Sequence, residues 1–130
     1  MEYVVANFVS KFASFRGSVA LPKMTYLRST DARTEGDSKS LYAETMHAAG
    51  VEVTLRWEDL GTPFAVDVPV EMSATGAHEM YSVFLEAKRA AILVNGKPMP
   101  GKVTARDFLG RRMNTAFLAF SETWVTPSKV

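Results

Sequence analysis

Few side chains in this sequence carry the chemistry that catalysis or metal binding uses. The chain has two histidines, His47 and His78, and no cysteine. Imidazole titrates near neutral pH, so either histidine could act as a general base, but no catalytic motif surrounds them. The lack of thiols excludes disulfides, thiolate zinc sites and a cysteine nucleophile. The sequence therefore predicts surface or capping roles for both histidines, and neither a metal nor another cofactor.

Carboxylates offer a second possible chemistry, because two nearby acids can hold a divalent cation or exchange protons with a substrate. Glu58 and Asp59 are adjacent, and Asp67 and Glu71 fall on the same wet face of a predicted strand. Solvated strand positions produce the same pattern, and the serines lack a nucleophile-elbow or triad signature. We therefore predict a protein without catalytic activity, with a small enzyme using an acidic site as an alternative.

Charge is distributed unevenly along the chain. Residues 1–75 carry seven Lys and Arg against ten Asp and Glu, and residues 76–130 carry eight against four. Residues 88–112, the basic window, hold seven bases and one acid, Asp107. Such an excess of one sign is typical of a surface that binds a polyanion or a complementary protein. The seven bases are Lys88, Arg89, Lys97, Lys102, Arg106, Arg111 and Arg112.

We predict that these bases contact the phosphates of RNA or another polyanion. No base-stacking motif accompanies them, so the contacts would follow the backbone and not read the sequence. The alternative is that Asp59, Asp67 and Glu71 neutralise the bases within the fold or across a dimer. The protein would then bind a protein partner and have no role with nucleic acid.

Hydrophobic spacing predicts four helices and one hairpin. The predicted helices cover 3–15, 41–49, Thr75 to about residue 94, and Thr104 to about residue 124; residues 19–28 should be extended and 29–40 a surface loop. Alternating apolar and polar residues predict strands over 51–57 and 64–72, paired as an antiparallel hairpin. The dipeptide Asn95-Gly96 keeps open an alternative end to the third helix, a hairpin of 92–94 with 97–99.

These elements predict one α+β domain over residues 1–130. A small mixed, mainly antiparallel sheet would have helices packed on one of its faces. Pro69 cannot donate a ladder hydrogen bond, so its strand should lie at an edge or contain a bulge. The predicted helices have more apolar surface than so small a sheet can cover, which predicts a homodimer. Its interface would be the stripe Phe8, Phe12 and Phe15, or the edge strand with Pro69.

Two resemblances to known families bear on this prediction. Residues 93–99 resemble the hairpin of the S4 RNA-binding module, although the Arg-rich helix pair of that module is missing. The whole chain looks like the small packaging factor of the polymerase complex in dsRNA bacteriophages, the cystoviruses. The similarity lies in the predicted α+β order, the basic window and the ending over residues 126–130. It implies a homodimeric, noncatalytic protein that assists RNA packaging, with capsid or polymerase proteins as partners.

The sequence thus predicts a noncatalytic assembly or accessory factor with a weak, sequence-independent nucleic-acid surface. A protein-binding module without a nucleic-acid role is the alternative. No apolar run approaches the roughly 18 residues of a membrane span, and residues 1–15 lack the pattern of a signal peptide. We therefore expect no membrane partner and a cytoplasmic or virion-associated protein that is not secreted.

Overall fold

The computed structural model describes residues 2–12 and 15–125 of the chain, with side chains as far as residue 122. Strands make up 52% and helical residues 13%, with one short α-helix. The protein is therefore mostly antiparallel β-sheet. The predicted α+β fold, with helices packed on one face of a sheet, is wrong.

Nine strands and one α-helix form in the described part of the chain. They are α1 (Glu2–Asn7), β1 (Asp31–Gly36), β2 (Leu41–Ala48), β3 (Val51–Leu60), β4 (Phe64–Val68), β5 (His78–Val94), β6 (Lys97–Pro98), β7 (Ala105–Phe108), β8 (Arg111–Asn114) and β9 (Phe117–Val125). The seven-stranded sheet has the order β1-β2-β3-β5-β4, and β6 and β9 also pair with β5. Strands β7 and β8 form a separate two-stranded sheet.

The chain divides into two compact units. Unit 1 comprises Met1–Tyr26, Val66–Ser82 and Ser121–Val130, and unit 2 comprises Leu27–Ala65 and Val83–Phe120. In unit 1, the Phe8 ring packs edge-on against Phe12, with centroids 5.1 Å apart, and against His78, with centroids 5.5 Å apart. The prediction of a single domain over 1–130 stays a prediction.

Unit 2 has an aromatic centre. The Phe84 ring lies 5.8 Å from Phe64, 5.7 Å from Phe108 and 4.8 Å from Phe117 between centroids, in edge-on arrangements that aromatic pairs prefer. Phe84 is 7% exposed, and Met113, another core residue of unit 2, is 2% exposed. The other buried apolar residues of unit 2 are Ala43, Leu85, Ala87 and Leu118.

Two of the predicted helices are strands. Residues 41–48 of the helix predicted over 41–49 form β2, which pairs with β1 on one side and β3 on the other. Gly50 does not end a helix: it follows Ala49 in a two-residue turn in which φ is 49° and then 77°. A helix end and a two-residue hairpin turn both use positive φ, so the same glycine fits both patterns. Residues 78–94 form β5, and Thr75 lies in the turn before it.

The last predicted helix is also wrong, because its residues form β7, β8 and β9. Leu109 and Gly110, with φ of 49° and 73°, reverse the chain between β7 and β8. Thr104 caps no helix: its carbonyl accepts a hydrogen bond from Thr115 N at 2.7 Å. The side chain of Trp124, near the predicted end of that helix, lies outside the described side chains.

Predictions near the N-terminus are partly wrong. The helix predicted over 3–15 is an α-helix only as far as Asn7, followed by a 3-10 turn over Val9–Lys11; residues 13 and 14 lie outside the described residues. The predicted loop over 29–40 contains strand β1. The predicted extended segment 19–28 includes a 3-10 turn over Leu21–Lys23.

Other features of the sequence are confirmed. Strand β3 contains the predicted strand 51–57, and the alternative hairpin at Asn95-Gly96 forms, with Leu93 opposite Pro98 and Val94 opposite Lys97. Strand β4 stands last in the strand order, as predicted from Pro69, but the strand predicted over 64–72 ends at Val68 and residues 70–72 form a 3-10 turn. The predicted hairpin between β3 and β4 is wrong, because β5 lies between them in the sheet.

The loop between β1 and β2 is organised by one carboxylate. Asp37 Oδ1 accepts hydrogen bonds from the backbone N–H groups of Lys39 at 2.8 Å, Ser40 at 2.8 Å and Leu41 at 3.2 Å. These bonds hold the pKa of Asp37 well below its ordinary value, chiefly through Ser40 N–H and then Lys39 N–H. Gly36 has φ of 104°, and a Cβ there would collide with the Leu41 carbonyl oxygen. The tight turn therefore needs both residues.

We predict that Asp37→Asn destabilises the protein at neutral pH and that this effect fades in acid. A carboxylate whose folded-state pKa is depressed stabilises the fold above its unfolded-state pKa, near 3.8, and loses that contribution as pH falls toward the folded-state value. Urea unfolding of both proteins between pH 7 and pH ~2 should show a constant difference down to pH ~5 and a shrinking one below. A difference that does not change with pH would contradict the role of Asp37.

Candidate functional site

The structure spreads the basic window over four strands and a loop. Lys88 and Arg89 lie on β5, Lys97 on β6, Lys102 in the loop after β6, Arg106 on β7, and Arg111 and Arg112 on β8. All of them belong to unit 2. The predicted interface residues Phe8, Phe12 and Phe15 belong to unit 1, where Phe15 is 44% exposed.

Three of the arginines are paired with carboxylates. Arg89 Nε donates to Asp59 Oδ2 at 2.8 Å, and its Nη2 lies 3.8 Å from Glu58 Oε2. The hydrogen bond and charge of Asp59 raise the pKa of Arg89. Arg111 Nη2 lies 3.8 Å from Glu86, and Arg112 Nη1 donates to Asp107 at 3.3 Å. Of the three acids expected to neutralise the bases, the structure brings Asp59 to the window and records no ion pair for Asp67 or Glu71 among the described residues.

Two arginines also cover aromatic rings. The Arg106 guanidinium carbon lies 4.7 Å from the Phe108 ring centroid and 5.2 Å from that of Phe117. Arg111 lies 3.9 Å above Phe64. Arg106 Nε is buried and has no hydrogen-bond partner among the described residues. Arg106 therefore packs over the aromatic rings at the centre of unit 2, and its guanidinium is poorly placed to contact a phosphate.

The three lysines differ from the arginines. Lys88, Lys97 and Lys102 are exposed. Within the described part of the chain, no carboxylate lies at ion-pair distance from any of them. Arg106 also lacks a carboxylate partner within the described residues, but it packs on aromatic rings, so the lysines are the exposed members of the basic window without a counter-charge there.

An apolar groove lies beside these lysines in unit 2. In the pairing of β3 with β5, Leu55 lies opposite Ile92 and Trp57 opposite Ala90, so these side chains share one sheet face. The loop over residues 99–103 forms the other wall, and the groove measures about 420 Å³. Ile92 is 50% exposed and Met99 is 53% exposed. Lys102 supplies a cation to the lining.

The sequence contained part of the signal for this groove. Alternation in residues 51–57 places Leu55 and Trp57 on one apolar face, and Asn95-Gly96 predicts the turn that precedes the loop. What sequence reasoning missed is that the loop folds next to that face. The sequence also predicted that Ile92 lies in the third helix or, in the alternative hairpin, in a short strand over 92–94.

The two histidines lie in different units, and each is hydrogen-bonded to a neighbouring side chain. His47 lies on β2, not at a helix end, with Nε2 at 2.8 Å from Glu52 Oε2 and Nδ1 at 3.6 Å from Asp31 Oδ2. Both ring nitrogens thus face carboxylates of neighbouring strands. His78 begins β5, and its Nδ1 is hydrogen-bonded to Thr75 Oγ1 at 2.6 Å.

The candidate acidic pairs are not assembled as the sequence suggested. Glu58 and Asp59 interact with arginines, and Asp67 lies on β4 whereas Glu71 lies in the 3-10 turn Val70–Met72, so they do not share a strand. Within residues 2–12 and 15–125, no three His, Asp or Glu side chains converge as a metal site requires.

Comparison with known protein families, with characterised proteins and with solved structures gives no match to this chain. The resemblance to the cystovirus packaging factor is therefore still a prediction. No helix among the described residues has the length and apolar character needed to cross a membrane.

The position of Arg106 generates a stability prediction. Arg106→Ala should lower the free energy of unfolding by about 1–2 kcal/mol, because it removes the cover of two aromatic rings. Arg106→Met keeps most of that packing and removes the unpartnered Nε, so it should cost less. Lys97→Ala, the exposed control, should stay within about 0.5 kcal/mol of the parent. Equal effects of all three changes in urea unfolding would contradict this placement.

Proposed function

We propose that this protein is a noncatalytic assembly factor that holds an extended apolar segment of another protein in the groove of unit 2. The observation that carries the proposal is the groove itself, with Trp57, Ile92 and Met99 in its lining. Its volume of about 420 Å³ falls within the usual range of binding pockets.

Charge defines the kind of segment that fits. Lys102 lines the groove, and Arg56, the other basic lining residue, is already hydrogen-bonded to Glu58 at 2.6 Å. Lys102 therefore offers the unpaired charge, which favours a segment with an acidic residue next to its apolar ones. Covering the exposed halves of Ile92 and Met99 would contribute about 1 kcal/mol each.

Binding to the groove can be tested with synthetic peptides that favour an extended backbone and have leucine at every second position. One peptide has a flanking Asp and a matched peptide has a flanking Lys in its place. We expect the Asp peptide to bind several-fold tighter by fluorescence anisotropy, and Lys102→Ala to remove that preference. Ile92→Asp should weaken the binding of both peptides, because it places a charge in the apolar lining of the groove.

A matched control for the groove is Met72→Asp, which changes a residue that is 68% exposed and lies in unit 1. It should leave peptide binding unchanged. Binding that is equal in Ile92→Asp and the parent, or no binding of either peptide, would contradict the proposed function.

Weak, sequence-independent RNA binding is a second candidate, supported by the unpaired charges of Lys88, Lys97 and Lys102. If these three contact phosphates, log affinity should fall with log salt at a slope of about −2 to −3. Lys97→Ala with Lys102→Ala should flatten the slope by one to two units, and more than Arg111→Ala with Arg112→Ala, since those arginines have carboxylate partners. No binding of RNA at low salt would count against this candidate.

A further inference from the structure

Strand β1 is an open edge of the seven-stranded sheet. It pairs with β2 from Asp31 opposite His47 to Gly36 opposite Tyr42, without a break in register. No other strand of the described chain pairs with it, and all six residues are exposed. An open edge presents unpaired N–H and C=O groups that can bind another strand.

The hydrogen bonding at the end of β1 shows which groups are free. Asp37 N donates to Leu41 O at 3.0 Å, so residue 37 faces β2. Because alternate residues of an antiparallel strand face alternate sides, Asp31, Arg33 and Glu35 also direct their backbone groups to β2. The backbone groups of Ala32 and Thr34 then point away from β2, toward a position that a further strand could occupy.

The side chains of β1 have a pattern that suits one particular further strand. Asp31, Arg33 and Glu35 share one face and alternate in sign, and Arg33 Nε lies 3.6 Å from Glu35 Oε1. The other face has the small side chains Ala32 and Thr34. Neither a proline nor a bulge interrupts β1, although both are common protections of exposed edges.

We propose that β1 pairs antiparallel with β1 of a second copy of the chain across a two-fold axis. An axis through Arg33 would place like charges opposite one another. An axis through Ala32 or Thr34 instead places Arg33 opposite the partner's Asp31 or the partner's Glu35, and two-fold symmetry repeats the pair. These charged residues fall in the non-hydrogen-bonded positions of the new ladder, where opposed side chains lie closest.

This pairing goes beyond the proposed function, because it uses β1 and not the groove lined by β3, β5 and the loop after β6. The two surfaces therefore allow one protein to form a symmetric dimer and to bind a different segment at the same time. The sequence-based prediction placed the dimer interface elsewhere, at Phe8, Phe12 and Phe15 or at the strand with Pro69.

A charge-exchange experiment tests the pairing. Arg33→Glu makes positions 31, 33 and 35 of β1 all acidic, and the double change Asp31→Arg with Glu35→Arg makes them all basic. By sedimentation equilibrium we expect the parent to dimerise, each variant alone to dimerise at least about tenfold more weakly, and their equimolar mixture to regain the parent's affinity. Circular dichroism of each variant checks that the fold is intact.

Single cysteines provide a second measurement that does not alter charge, since the chain has none of its own. Facing residues of a hydrogen-bonded pair have Cα atoms about 5.5 Å apart, which suits a disulfide. Ala32→Cys should cross-link two copies if the axis passes through Ala32, and Thr34→Cys if it passes through Thr34. Thr62→Cys, exposed in the loop between β3 and β4, is the control that should not cross-link.

The outcomes separate this inference from the proposed function. A monomeric parent at tens of micromolar, or a dimer that ignores the charge changes and yields neither cross-link, overturns the β1 pairing. Ile92→Asp should leave dimerisation unchanged while weakening peptide binding. Loss of peptide binding in every protein, with dimerisation intact, would count against the groove alone.

Discussion

The need of strand β5 for hydrogen-bond partners governs most of this structure. Its 17 residues each present a backbone N–H and C=O, and β3, β4, β6 and β9 all pair with it. Buried backbone groups without partners are costly, so the chain must bring segments from before and after β5 to both of its sides. The interposition of β5 between β3 and β4 follows from this requirement.

The same arrangement decides what the basic residues can do. Strands β7 and β8 bring Arg106 and Arg111 over aromatic rings, and Glu86 on β5 reaches Arg111. A guanidinium can stack on a ring and bind a carboxylate at once, whereas an ammonium on a flexible chain stays hydrated. Arg106 and Arg111 therefore contribute to packing, Arg89 and Arg112 form exposed ion pairs, and the lysines supply the charge that faces solvent. Net charge along the sequence does not reveal that division.

The surfaces left open are those on which protein contacts can be built. A groove of about 420 Å³ with half-exposed Ile92 and Met99 lies on one sheet face, and β1 provides an edge with alternating charges. The groove would select its partner by apolar fit, and the β1 edge would select its partner by backbone pairing and the order of charges. Together, the two proposals describe a small chain that links copies of itself to a segment of another protein.

The sequence by itself determined the local features whose cause lies within a few residues. Alternation defined β3, Asn95-Gly96 defined a turn, and Pro69 placed β4 at the end of the strand order. It did not determine that β2, β5 and β7 to β9 form where helices over 41–49, from Thr75 to about 94 and from Thr104 to about 124 were predicted. Apolar residues four apart, such as Leu109, Met113 and Phe117, fit a helix of period 3.6 and a strand of period 2 equally well.

Only the tertiary structure could decide between them, because a helix satisfies its own backbone whereas a strand depends on partners far along the chain. The hydroxyls of Thr45 in β2 and Thr54 in β3 are hydrogen-bonded to each other, and the Ala87 N–H in β5 donates to the Ala116 carbonyl. The guanidinium of Arg106 packs on the ring of Phe117. The groove has the same origin, since Leu55 and Met99 lie 44 positions apart in sequence. The candidate sites of this protein are therefore formed by strand pairing. Composition and spacing indicated individual residues of these sites but not which of them come together.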